Sequence, residues 1–259
     1  MSLFGLPVLI VLVLVAVGTS VLSGATGMGG GAILLAFMAL LVDATFVVPL
    51  HGAVQFFSNG FRTILFLKHT HWRLFCIFAI GVLPGAFIGA KVYSHFNDHL
   101  VSLLMGCFIM LITWMPKLKK ERKDSLLIFL PVGIVSGVIS IFFGATGPFI
   151  APFFVRKDIL KEELIATKAA CQTLTHIIKI PLFWLMLEAN IFEYWPILIF
   201  LCGSVVVGTF IGKKLVGKMT DKQFKKVIKW ILTAISIKMI LFSIYLMVQA
   251  SNGSVQPIQ

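Results

Sequence analysis

Two groups of polar residues interrupt an otherwise apolar chain. His51, Gln55, Ser58, Asn59 and Arg62 form the first, and Lys168, Gln172, Thr175, His176 and Lys179 the second, in corresponding places. Their spacings of three, four and seven put each group along one face of a helix. The side chains are amides, hydroxyls, imidazoles and cations, a set suited to holding an anion. An amide offers two donors and an acceptor. Gln55 and Gln172 can therefore receive an oxyanion without a fixed counter-charge, while Arg62 and Lys179 add positive charge at the ends of the stripes. Histidine titrates near neutral pH, which makes His51 and His176 the candidates for moving a proton. A third feature is the run Gly27-Met28-Gly29-Gly30-Gly31. A helix that starts there aims free N–H groups at a ligand; the competing use of such glycines is close helix packing. No Gly-Lys-Ser/Thr follows the run, so it is not a P-loop. The candidate substrate-binding set is Gln55, Asn59, Arg62, Gln172, Thr175, His176 and Lys179 with Gly29, Gly30 and Gly31.

The sign of the embedded charge narrows the ligand. All ten Asp and Glu fall in expected loops or at helix ends, whereas Arg62, Lys168, Lys179 and Lys238 fall inside expected helices. A cation at membrane depth needs a counter-charge or a route to the interface. A passing anion supplies the first. The stem of a lysine supplies the second, an alternative that applies to Lys168, Lys179 and Lys238 and, near a helix end, to Arg62. Enzymatic chemistry finds little footing, because there is no HExxH and no embedded pair of acids. The cysteines Cys76, Cys107, Cys171 and Cys202 form no CxxC, so neither a disulfide framework nor a metal site is indicated, and no cofactor is expected.

The elements that carry these residues are membrane helices. Of 259 residues, 59% are hydrophobic and 12% charged, and the mean hydropathy is +1.01. Soluble domains carry about 25% charged residues, and a span takes roughly 20 mainly apolar ones. Apolar runs of that order recur along the chain, so an all-α polytopic membrane protein is expected. With a net charge of +12, the question is which side of the membrane holds the charge; nucleic acid is not an expected partner. The apolar start, with only Met1 and Ser2 before it, reads as a helix rather than a signal peptide.

The chain also repeats itself. Gly24-Ala25-Thr26-Gly27 recurs as Gly144-Ala145-Thr146-Gly147, Ala53-Val54-Gln55 as Ala170-Cys171-Gln172, and Gly85-Ala86-Phe87-Ile88-Gly89 as Gly208-Thr209-Phe210-Ile211-Gly212. Each half holds five helical pieces, at 4–23, 29–42, 45–67, 73–93 and 99–116, then 126–143, 148–156, 160–187, 194–214 and 224–248. The second piece of each half is short, and either spans or re-enters, giving eight to ten transmembrane helices. The expected organisation is an N-terminal membrane repeat at 1–116, a cytoplasmic linker at 117–125, a C-terminal membrane repeat at 126–250 and a polar tail at 251–259. Lys and Arg favour cytoplasmic loops. If all ten pieces cross, one alternating set of loops collects nearly all of them, five between 117 and 123 alone, and the opposite set holds only Lys91 beside Asp43, Asp98, Glu188 and Glu193. Both termini are then outside and the halves antiparallel, the inverted-repeat plan of many secondary transporters.

Two glycine-rich breaks, each followed by a helix with a central polar motif, resemble the sulfite exporter TauE/SafE family. The similarity runs through 24–62 with 81–91 and 137–179 with 203–214, and so covers nearly the whole chain. In the second half the break reads Gly144-Ala145-Thr146-Gly147-Pro148-Phe149 and departs from the glycine run of the first. The resemblance implies a secondary transporter or permease for a small anion such as sulfite or an organosulfonate, resident in the plasma (inner) membrane. Alternating access is the mechanism expected of it, with protons as a candidate coupling ion. The alternative from a different class is a membrane-embedded assembly or interaction protein without transport activity.

Overall fold

A computed structural model describes residues 5–26, 29–42, 44–115, 125–154, 156, 159–187, 194–215 and 222–251. Residues 117–124 of the linker between the halves, all but residue 251 of the polar tail, Gly27, Met28, Asp43, Glu188 and Glu193 lie outside the described residues. Among the described residues the architecture is helical: α1 (Leu6–Thr26), α2 (Gly30–Leu41), α3 (Ala44–Leu65), α4 (Trp72–Tyr93), α5 (Asp98–Trp114), α6 (Phe129–Phe143), α7 (Gly147–Phe154), α8 (Lys161–Met186), α9 (Trp195–Lys214) and α10 (Lys222–Ser251). Five stretches are long and apolar enough to cross a membrane: α1, α4, α6 with the single 3-10 turn before it, α9 and most of α10. Their outward sides carry exposed residues such as Leu14, Ile80, Phe200 and Leu241. An apolar surface of that extent suits lipid rather than water.

Glycines decide which helices meet. A Cβ on Gly85 of α4 would overlap the carbonyl oxygen of Ile134 on α6, and one on Gly137 of α6 would overlap the backbone at Ala86. A Cβ on Gly208 of α9 would stand 2.5 Å from the Val17 carbonyl oxygen of α1, and one on Gly24 of α1 would stand 2.9 Å from that of Thr209. Between apolar helices in lipid the gain comes from backbone contact, which only small residues permit. In both pairs the contacts advance together along the two helices, from Gly81 at Leu130 to Gly89 at Val138 and from Gly208 at Val17 to Gly212 at Val21. The α4–α6 and α1–α9 pairs therefore run parallel.

Two other pairs run antiparallel. On α5 and α10, Gly106 lies against Ile240, while Trp114 donates its Nε1–H to Thr233 Oγ1 at 3.0 Å. On α3 and α8, Gly52 meets Lys179 and Gly60 meets Thr173, and Phe66 clusters with Ile165 and Ala166 at the far end. Exchanging each helix of one half for its counterpart in the other leaves this pairing scheme unchanged. Proline lies inside both central helices, at Pro49 and Pro181, where it removes a backbone donor. The antiparallel crossing puts both prolines at the same end of the pair.

The two short helices are half-spans. α2 has 12 residues and α7 has 8, about 18 and 12 Å at 1.5 Å per residue, against a hydrocarbon core of about 30 Å. Both start in the interior: Gly31 abuts Gln55, near the middle of α3, and Gly147 abuts Gln172, near the middle of α8. The breaks before them therefore lie level with the middle of α3 and α8, beside the interior of the bundle, where irregular backbone is tolerated. Gly29, which caps α2, has φ of +89°, and Gly144, which ends α6, has φ of +70°. Glycine is the residue that enters this left-handed region without steric cost.

Candidate functional site

The two polar stripes face each other, because the faces of α3 and α8 that avoid lipid are the faces that cross. His51, Asn59, Arg62, Lys168, His176 and Lys179 are all buried, with at most 2% of their surface exposed, and Gln55 and Gln172 are nearly so. Between the stripes and the starts of α2 and α7 lies a cavity. Its wall includes Ser23, Gln55, Asn59, Arg62, Lys168 and Gln172, with both histidines and the backbone of Gly29, Gly31 and Gly147. The space open to the centre of a water-sized sphere is about 20 Å³, room for roughly one water. The described lining carries two basic side chains, Arg62 and Lys168, and no carboxylate.

A hydrogen-bond chain holds one wall. Arg62 donates from one terminal nitrogen to Asn59 Oδ1 at 3.0 Å and from the other to Ser58 Oγ at 3.3 Å. Asn59 Nδ2 donates to the Gln55 carbonyl at 2.9 Å and to Gln55 Oε1 at 3.1 Å. The Gln55 amide N–H groups are left for other uses. A Cβ on Gly31 would touch the Gln55 amide at 3.3 Å, and one on Gly147 would meet Gln172 Nε2 at 3.0 Å. The absence of side chains there gives the glutamines their place against the first turns of the half-helices. Those turns carry backbone N–H groups without helical partners and the positive end of the helix dipole. Arg62 Nε, His51 Nδ1, His176 Nδ1 and Thr146 Oγ1 are buried with no partner among the described residues.

The structure brings together most of the residues expected from sequence. Gln55, Asn59, Arg62, Gln172, His176, Gly29 and Gly31 line the cavity, as does His51. Three others stand behind the wall. Thr175 donates its hydroxyl to the Cys171 carbonyl at 2.8 Å within α8. Gly30 packs on Thr19 and Ser23 of α1. Lys179 donates its Nζ–H to the Gly144 carbonyl at 3.2 Å, and its stem fills the slot left by Gly52. There it answers the carbonyl end of α6 with a cation.

Lys168 takes the lining position instead, and it stands within electrostatic reach of Arg62. The signal that could have found it is its register, four residues before Gln172 as His51 stands four before Gln55. Of the embedded lysines given a route to the interface, Lys238 is exposed on α10, whereas Lys168 is 1% exposed.

Among the described residues, ten helices with an apolar exterior surround an interior site lined by basic groups and amides, the build of a multi-pass membrane protein. The sequence profile of the sulfite exporter TauE/SafE family matches residues 11–239, from within α1 to within α10. The chain belongs to that family, a family of membrane exporters for sulfite and related anions. No curated protein and no solved structure matches the chain.

Proposed function

We propose that this protein is a secondary transporter that moves a small oxyanion, sulfite or an organosulfonate, across the plasma membrane by alternating access. The observation that carries this reading is the interior cavity, in which Arg62, Lys168, Gln55 and Gln172 converge with no carboxylate among the described lining residues. Burying two cations side by side costs free energy unless a counter-charge arrives. An anion between the stripes supplies that counter-charge. The glutamines and the half-helix N-termini supply neutral donors around it, which bind an anion without the trapping that further fixed charge would bring.

The two halves act as inverted repeats, one at 1–116 and one at 126–250 joined by the linker. The reading is supported by two pairs of counterpart helices, α3 with α8 and α5 with α10, that cross antiparallel, and by a pairing scheme that survives exchange of the halves. Discontinuous helices that begin beside the substrate at the midplane are the usual construction of such transporters. The cavity has room for about one water, too little for the substrate, so transport requires it to widen. Opening to either side is a rocking of one repeat against the other, with the breaks at Gly29 and Gly144 as flexible points.

The test is uptake by the purified protein in proteoliposomes, with a panel of sulfite, thiosulfate, sulfoacetate, methanesulfonate and simple carboxylates. Saturable flux of a sulfur oxyanion is expected. Transport of cations alone would overturn the reading. Absence of any flux from folded protein would leave a membrane assembly factor as the better description.

A further inference from the structure

We propose that the imidazole of His51 binds a proton together with the transported anion, so that proton and anion cross in the same direction. The inference rests on the transport reading above and adds its coupling ion.

The ring of His51 is held so that one nitrogen is committed and the other is bare. Nε2 lies 2.8 Å from the Gly31 carbonyl oxygen, which can only accept, so Nε2 carries the hydrogen. In the neutral ring Nδ1 then keeps its lone pair. That nitrogen is buried without a partner and faces Gly144, where a Cβ would stand 3.4 Å away. His51 thus bridges both breaks, bonded to the first turn of α2 and pressed against the kink before α7.

The surroundings make the proton conditional on the anion. The titratable groups that His51 faces are both on α8: Lys179, whose ammonium is bonded to the same Gly144, and His176, whose ring meets His51 edge-on at 6.0 Å between centroids. Neither α2 nor α6 contains a titratable side chain. On α9 the nearest titratable contact to α3 is Lys213, which binds the Leu65 carbonyl at the far end. On α5 the groups are Asp98, His99 and Cys107, none of which lines the cavity. Further along the cavity stand Arg62 and Lys168.

A proton on Nδ1 therefore adds positive charge beside the basic groups Lys179, Lys168 and Arg62. It is disfavoured when the site is empty and favoured once an anion lies between the stripes. Linkage makes the effect reciprocal: an anion that raises proton affinity binds more tightly when the proton is present. The proton comes from water on the loading side, forms the second N–H of the imidazolium, and returns to water on the other side when the anion leaves.

The experiment uses the full chain in proteoliposomes with a pH dye inside and labelled methanesulfonate outside. This anion of a strong acid brings no proton of its own; sulfite is run beside it. Lumenal acidification during methanesulfonate uptake, at about one proton per anion, is expected. The affinity of solubilised wild-type protein for methanesulfonate is expected to fall with rising pH, by up to about tenfold per unit between the titration of the empty site and that of the anion-loaded site, and to level off above the latter. In His51→Gln, whose amide retains a donor for Gly31, the proton-to-anion ratio of the remaining flux should drop to zero. Uptake without acidification, or a flat affinity profile in the wild type, overturns the proposal even if the variant fails to fold. An undiminished ratio in His51→Gln overturns it too. Failure of folded wild type to move either anion would instead count against the transport reading itself.

Discussion

Replacing Gln55 with leucine separates a binding role from a structural one. Gln55 Oε1 accepts one bond, from Asn59 Nδ2 at 3.1 Å, and Asn59 keeps its second bond to the Gln55 carbonyl at 2.9 Å when the amide is gone. The Asn59–Arg62 bond at 3.0 Å is also retained. The fold loses one side-chain hydrogen bond between residues four apart within α3, worth about 0.5 kcal/mol. Leucine is close in volume, so little cavity is created. A shift of about 2 °C in melting temperature is the corresponding expectation for a chain of this size. Binding loses more, because a hydrogen bond to a charged group contributes about 1.5–3 kcal/mol. At about 1.4 kcal/mol per tenfold, the affinity for sulfite should weaken roughly ten- to hundredfold. Calorimetric titration of detergent-solubilised protein gives the affinity, and a thermal melt with size-exclusion chromatography gives the fold. Wild-type affinity in Gln55→Leu would refute the argument, as would an affinity loss matched by an equal loss of fold. Gln172→Leu should behave in the same way.

Lys168→Met should weaken anion affinity more than Lys179→Met does, because Lys168 lines the cavity and Lys179 is bonded to Gly144 behind it; affinity titrations in the opposite order would return Lys179 to the site. Lys179→Met should instead show its effect in the melting temperature. Gly85→Ala and Gly208→Ala should each lower the melting temperature by several degrees, since overpacking costs about 1–3 kcal/mol and the new methyl meets backbone on α6 or α1. Gly203→Ala, with nothing within 4 Å, is the matched control, and melts that do not distinguish the three would contradict the close packing. Single-cysteine labelling in intact cells should find both termini outside and the 117–123 loop inside, and ready labelling of that loop by an impermeant reagent would exclude the proposed topology.

Much of this was legible in the chain because it is written locally. Lipid tolerates only helices with satisfied backbones, so apolar stretches punctuated by Gly, Pro and charge mark the helices to within a few residues. Some expected boundaries moved by three residues: α6 starts at Phe129 rather than 126, α10 runs to Ser251 rather than 248, and α1 runs to Thr26 rather than 23, so Gly24 closes the helix against α9 instead of opening a break. The stripes His51 to Arg62 and Lys168 to Lys179 follow from helical period, and the lack of embedded carboxylates is a matter of composition.

What tertiary structure decided is the depth and partnership of these groups. A glycine on a helix face announces a close neighbour but does not say which; that α4 takes α6 and α1 takes α9 depends on the shapes of distant segments. The same packing sends Lys179 to the carbonyl of Gly144 and Lys168 to the cavity, although both occupy one stripe. It also leaves Lys238 outside. Sequence period assigns a lysine to a face, whereas its charge is answered by whatever carbonyl, cation or space the opposing helices place there. That arrangement is non-local and arises only when the two halves close on each other.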